Sequence, residues 1–295
     1  MDEEVVDLSD IINDVEPEQQ ESIPQIEGLE LLPTGKYHLS YSEVAEWSGC
    51  SWRHKLKHIL KVDLDEPGWG STFGKAIHSS CEDFLKTRVM KPEIAIETIK
   101  NGWKEHQFFE RGKAGSVEEF VQFANDILED IPSFMDETFP NWLYIDAEHF
   151  LYQKLDRPHA FKGYIDGIIE CDGKRGRVKW LIDFKTCGWG WSMQKKQDFM
   201  VKAQLILYKN FWLQETNTPP KDVRCGFVLL KRSAKKGKHC ELVAVSVGNV
   251  TTGRALQVVN DMVYHVKRGT AIKNKSSCKF CPYKGTEHCT GTELA

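Results

Sequence analysis

Asp183 and Lys185 stand two residues apart at the end of the apolar run Trp180-Leu181-Ile182, and Asp166 follows a second such run, Tyr164-Ile165. Residues 178–184 are rich in β-preferring side chains and lie between Gly176 and Gly188, which reads as a buried strand. Alternation along a strand sends residues i and i+2 to the same side, so Asp183 and Lys185 share a face while Phe184 turns back to the core. Residues 161–170 form another strand, joined to the first through Cys171-Asp172-Gly173-Lys174. A hairpin of the two can set Asp166 beside Asp183. Two carboxylates and a lysine on one sheet edge can hold a hard divalent cation and guide an attacking water. An Asp-x-Lys pair alone is more often an ion pair on a solvated strand face, worth little, so the rest of the chain decides.

A second constellation lies near the C-terminus. Cys278-Lys279-Phe280-Cys281 is followed by Cys289, a metal-ligand pattern one thiolate short of four. Cys50, between two predicted helices, is the fourth candidate. Four thiolates suit zinc or an iron–sulfur cluster. Cys81, Cys171, Cys187, Cys225 and Cys240 fall within predicted helices or strands and read as small core residues. Nine cysteines, an odd number, with no visible export signal argue for thiols in a reducing cytoplasm rather than a disulfide framework.

These residues need elements to position them. Residues 1–34 carry eleven acids and no Lys or Arg and read as a disordered acidic tail. Without them the chain has 39 basic residues against 32 acids, a mildly basic body that permits a nucleic-acid partner. The domain is expected over 35–295, with a helical insertion at about 90–140 and a cysteine cluster at 278–289. No apolar run approaches the roughly 20 residues of a membrane span, so no membrane partner is expected. Ser40 and Glu43 suggest a capping box opening a first helix, and a second helix follows over 51–60. Residues 71–85 form another, with Gly74 four residues before His78 on one face, a spacing that suits close helix packing. Gly74-Lys75 does not make a phosphate-binding loop, because Trp69 and Ala76 occupy positions that motif needs for Gly and Ser or Thr. Residues 92–138 are helical in pattern, with Pro132 near their end. A strand over 143–153, a helix over 195–214, strands over 223–232 and 240–247 and a last helix over 249–267 complete the chain. The loop from Lys231 to Lys238 is strongly basic and suits either a solvated turn or phosphate contact.

In this order the motifs resemble the RecB-like branch of the PD-(D/E)XK nuclease superfamily, in particular single-domain CRISPR-associated adaptation nucleases and phage exonucleases with a cysteine-held cluster. The matching positions are Cys50, His78, Gly163-x-x-Asp166, Asp183-x-Lys185, Gln204-x-x-x-Tyr208, Cys278-x-x-Cys281 and Cys289, across most of 38–290. The proline that often precedes the first acid is absent, and Tyr164-Ile165 stands there instead. The resemblance implies an α/β fold: a restriction-endonuclease-like core with a mixed central β-sheet flanked by helices, plus a cysteine-cluster subdomain joining the N- and C-terminal parts. It implies Mg²⁺ or Mn²⁺ held by His78, Asp166, Asp183 and the Phe184 carbonyl. Lys185 would orient the water and stabilise the transition state, with Gln204 and Tyr208 positioning Lys185 or the strand. An iron–sulfur cluster, 4Fe–4S before zinc, would sit on Cys50, Cys278, Cys281 and Cys289. The implied activity is exonucleolytic hydrolysis of DNA at ends or single strands in recombination, repair or processing. Any helicase, recombinase or single-strand-binding protein would be a separate partner. Trp189 or Trp191 could stack on a base. The rival reading is a DNA-binding or assembly module that keeps the fold without the chemistry.

Overall fold

A computed structural model of the protein describes residues 24, 26–62, 64–65, 68–106 and 116–290. In chain order these form β1 (His38–Ser40), α1 (Tyr41–Gly49), α2 (Ser51–His54) continued by one π-helical turn (Lys55–Ile59), α3 (Trp69–Thr87), α4 (Pro92–His106) and α5 (Val117–Thr138). There follow β2 (Leu143–Lys154), β3 (Ala160–Gly173), β4 (Gly176–Cys187), α6 (Met193–Gln197), α7 (Phe199–Thr216), β5 (Val223–Lys231), β6 (Cys240–Val245) and α8 (Asn249–Lys267). The six strands make one mixed sheet, the α/β core expected, with β3, β4, β5 and β6 side by side. The β3–β4 and β5–β6 pairs are antiparallel, and β4 runs parallel to β5.

Alternation along β4 sorts its side chains onto two cores. Leu181 packs with α1, α7 and α8 on one face, while Trp180, Ile182 and Phe184 pack with α3, α4 and α5 on the other. A strand covered on both faces reads as a nearly continuous apolar run, which is why 180–184 stood out. The 92–138 segment covers the sheet as anticipated, and its Pro132 lies inside α5 rather than at its end. The helix expected over 195–214 is two, because Asp198 accepts the Met200 and Val201 N–H groups and caps α7.

Strand β3 is where the sheet opens. One edge is paired with β2 along nearly its whole length. The other is paired with β4 only from Gly167 onward and with the short β1 only over Ala160–Lys162. Residues 163–166 therefore face a gap on that edge. Strand β1, three residues of mixed burial, is too short to announce itself by alternation, so this opening was not visible in the sequence.

The N-terminal boundary differs from expectation. Leu32 is buried in the core beside α7 and α8, the Glu30 N–H donates to the Pro158 carbonyl, and Lys267 pairs with Glu30. Residues 26–34 thus join the fold, because Leu32 supplies apolar area that the acid count concealed. Residues 1–23 of the expected acidic tail lie outside the described residues. Among the described residues no helix is long and apolar enough to cross a membrane.

The first helix is capped by Ser40, whose hydroxyl accepts the Glu43 N–H. The reciprocal half of the expected box is missing because the Glu43 carboxylate is used elsewhere. It lies 3.0 Å from His54 Nε2, both side chains buried, while Glu46 pairs with His58 and Arg53. These pairs clasp α1 to α2 across Cys50. Burial alone would raise the Glu43 carboxyl, but His54, Lys36 and His58 outweigh it and hold the carboxyl below its ordinary value of 4.5. A depressed carboxylate adds stability that is complete above pH 4.5 and is lost as pH falls through the folded-state value. Glu43→Ala leaves His54 buried without its partner. We expect it to lower unfolding stability at pH 7 by about 3–5 kcal/mol, with a shrinking deficit as urea melts are repeated toward pH 3.

Candidate active site

Asp166 lies in the gap of β3, and its Oδ2 accepts the Phe184 N–H at 2.7 Å. The carboxylate thus spans the point where β4 leaves β3. Asp183, one residue earlier on β4, is buried at 1% exposure beneath α7, where Gln204 Nε2 donates to its Oδ1 at 2.6 Å. Lys185 Nζ lies 2.7 Å from Asp183 Oδ2, at an angle that leaves this buried oxygen without a properly aligned hydrogen bond. His78 reaches in from α3, its Nδ1 3.4 Å from Asp166 Oδ2 and its ring facing Phe184 at 6.2 Å. The two acids, Lys185, His78 and the Phe184 backbone are therefore gathered at one opening.

Gln204 meets Asp183 rather than Lys185, which corrects the role expected for it. Its Nε2 also lies 3.4 Å from the Tyr208 hydroxyl, one helical turn along. The Tyr208 ring packs on Gly163, where an added Cβ would stand 2.7 Å from Cε1. Only glycine lets α7 approach β3 so closely, which gives the glycine three residues before Asp166 a physical reason. Gly74 has no such need: a Cβ there would meet Thr186 at an ordinary 3.5 Å.

Burial pushes the Asp166 carboxyl well above the carboxylate range, and the neighbouring Asp183 charge adds to it. Lys185 loses charge stability by burial but regains more from Asp183 and Asp166, so it stays protonated. Burial lowers His78 and favours its neutral, ligand-competent imidazole. Tyr208 is raised, first by burial and then by Asp183, and remains a phenol. Buried Asp183 and half-buried Asp166 face one lysine, and with one carboxylate oxygen lacking an aligned donor they form an oxygen-rich donor set that fits a hard divalent cation. As they stand, the carboxylates are turned to protein donors, and no three His, Cys, Asp or Glu side chains among the described residues are arranged to hold one ion.

One residue of the site was missed. The register of β2 on β3 puts Glu148 opposite Asp166, and its charge raises the Asp166 carboxyl. Its backbone is left-handed at φ 52°, unusual for a non-glycine residue within a strand. Glu148 sits in an ordinary alternating stretch, and only the strand register makes it a neighbour.

The cysteines fall in two places, and none of them, as they stand, is grouped to hold one ion among the described residues. Cys50, Cys278, Cys281 and Cys289 line one narrow apolar cavity with Leu56 and Tyr283, and burial there pushes the Cys289 thiol up. Cys81, Cys171 and Cys225 are buried in the two cores, with Cys187 and Cys240 packed against them. In the basic loop, Lys231 pairs with Glu241, Lys236 with Glu129, and Arg232 lies 4.8 Å over the Trp69 ring. Much of its charge is thus used internally. Trp189 is 83% exposed, while Trp191 packs on Phe227 at 5.1 Å with Lys195 above it.

The profile of the PD-(D/E)XK nuclease superfamily matches residues 38–286. The chain is a member of that superfamily. No curated protein matches it. Among solved structures, this PD-(D/E)XK chain resembles a protein from Eubacterium rectale described as a "Putative exonuclease", with a TM-score of 0.53 and 13% identity over 84% of this chain and 88% of that one. At that identity the likeness is one of fold. The family match spans β1 to residue 286, so the sheet opening, Cys50, Cys278 and Cys281 lie inside the matched PD-(D/E)XK unit and Cys289 lies three residues beyond it.

Proposed function

We propose that this protein is a metal-dependent DNA nuclease of the RecB-like branch, acting as an exonuclease on ends or single strands. The observation that carries the reading is the convergence of Asp166, Asp183 and Lys185 at the opening between β3 and β4. His78, Asp166, Asp183 and the Phe184 carbonyl would hold Mg²⁺ or Mn²⁺. A cation there supplies charge to the scissile phosphate and acidifies water. Lys185 is protonated and next to Asp183, so its ammonium can hold the attacking water and donate to charge developing on phosphate. Gln204 fixes the direction of Asp183, and Tyr208 fixes Gln204. Cys50, Cys278, Cys281 and Cys289 would carry an iron–sulfur cluster that joins the helices before the nuclease core to the tail after it.

The chemical residues are intact, which favours an enzyme over a module that retains only the fold. Gln204→Ala removes the Asp183 donor without touching the acids. We expect cleavage to fall about 10–100-fold while DNA binding in EDTA stays unchanged. His78→Ala should raise the Mn²⁺ concentration for half-maximal activity by a similar factor; an unchanged titration curve would make His78 a packing residue. Exonuclease action is tested by giving Mn²⁺-supplemented protein linear and covalently closed circular DNA. Degradation confined to the linear form supports it, and equal loss of the circle makes the enzyme an endonuclease.

A further inference from the structure

Next to the sheet opening is a row of rings that neither core uses. Phe150 on β2 pairs with Tyr164 on β3, and Tyr152 pairs with Lys162. Phe150 and Tyr164 have centroids 5.2 Å apart, Phe150 and Tyr152 6.0 Å, and Tyr152 and His38 of β1 5.6 Å. Lys162 Nζ lies 5.6 Å from the Phe150 ring centre and 5.5 Å from that of Tyr164. Phe150, Tyr164 and Lys162 are half-buried, and Tyr152 forms the buried floor. Gly163 faces Tyr208 of α7, so Lys162 and Tyr164 look out on the opposite face of the sheet. None of Phe150, Tyr152 and Tyr164 belongs to either hydrophobic cluster.

Cross-strand aromatic pairs ordinarily stabilise a sheet. Two observations point beyond it. The row runs directly into the site: Tyr164 is two residues from Asp166 on β3, and Phe150 is two from Glu148 on β2, a step of about 6.6 Å. And Lys162, at the centre of the row, has no carboxylate partner among the described residues. A half-exposed cation between ring faces, beside a site for phosphate chemistry, complements a ligand that carries both anionic charge and flat apolar surface. At the far end, Tyr37, His38 and Tyr152 border an open groove of about 580 Å³ shared with residues 26–29.

We propose that the rings of His38, Phe150 and Tyr164, floored by Tyr152 and with Lys162 among them, are a stacking track for single-stranded nucleic acid that leads the strand to Asp166. The inference rests on the nuclease reading and adds the form of its substrate. In a duplex the base faces are covered by their neighbours, so rings fixed in a sheet can stack only on bases already unpaired. The phosphates of such a strand would pass Lys162, and the last ordered base would lie on Tyr164 beside the acids.

The test is fluorescence anisotropy of the full-length protein in EDTA with fluorescein-labelled dT20 and, separately, with a blunt 20-base-pair duplex. Phe150→Leu keeps an apolar side chain in the sheet but removes the ring, and Lys162→Gln keeps the stem but removes the charge. Phe150→Leu should weaken dT20 binding about tenfold and duplex binding less than twofold. Lys162→Gln should also weaken dT20 binding and should reduce the slope of log affinity against log salt by about 0.7. Unchanged dT20 affinity in both variants, with a lowered Tm, would make the row sheet packing and overturn the track. Equal losses on dT20 and duplex would overturn its single-strand character. The nuclease reading fails separately: wild-type protein that binds dT20 through these residues yet cleaves nothing in Mn²⁺ leaves the track standing and removes the enzyme.

Discussion

Asp183→Asn and Lys185→Ala should each lower DNA cleavage by on the order of 10³ or more, and their stabilities should separate them. Asp183 is buried beside Asp166, whose carboxyl it raises. Replacing it with Asn removes a like charge, keeps an oxygen for Gln204 and leaves folding intact or improved. Lys185→Ala does the opposite: it withdraws the cation that Asp183 and Asp166 share and leaves two acids facing one another. Its Tm should therefore fall below that of Asp183→Asn, most strongly at high pH, where both carboxylates are ionised. Thermal melts from pH 5 to 9 give the comparison. Near wild-type cleavage by either variant would remove both residues from the chemistry.

The second large effect concerns Cys50. It stands where α1 ends and α2 begins, and the tail is already laced to that corner. Asn274 Nδ2 and Ser277 Oγ donate to the Gly49 carbonyl at 2.8 and 2.7 Å, Trp52 Nε1 donates to the His288 carbonyl at 3.1 Å, and Tyr283 hydrogen-bonds the Val62 carbonyl. A cluster on Cys50, Cys278, Cys281 and Cys289 would add metal–ligand energy to this lacing, on the order of 10 kcal/mol by analogy with zinc sites. Cys50→Ser should lower Tm by on the order of 10 °C, reduce solubility and abolish the brown colour of anaerobically purified protein. Cys225→Ser is the control. Cys225 is more deeply buried than Cys50, but its Sγ faces the Leu205 carbonyl at 3.8 Å, which a serine hydroxyl can use, so the cost should be about 1 kcal/mol with colour retained. Colourless protein with one zinc per chain would replace the iron–sulfur assignment and keep the staple. Neither metal in the anaerobic protein would remove both.

Much of this was legible in the sequence where local pattern and tertiary environment agree. Strands β3 and β4 announce themselves because both faces of β4 are buried, and the two-residue spacing of Asp183 and Lys185 fixes their common face. The boundaries of α8 follow from its apolar period. What escaped was set by non-local geometry. The sheet opening depends on β1, three residues long, pairing with one end of β3. Glu148 becomes a neighbour of Asp166 only through register, and the 2.6 Å contact of Gln204 with Asp183 depends on how α7 packs on β4. Composition also misled at the N-terminus: the acids of residues 1–34 masked Leu32, whose burial draws residues 26–34 onto the body. In the basic loop, charge count could not show that Glu129 and Glu241 take up two of its lysines.

The central claim, that the opening between β3 and β4 is a metal-dependent phosphodiesterase site, is tested most directly by one digestion. Full-length protein is incubated with 5′-labelled linear DNA in Mn²⁺, in Mg²⁺ and in EDTA, beside the Asp166→Asn/Asp183→Asn double variant purified in the same way. The account predicts shortening of the label by the wild-type chain in at least one metal, none in EDTA, and none by the double variant under any condition. Cleavage that survives in the double variant, or DNA left whole by folded wild-type protein in both metals, would contradict it.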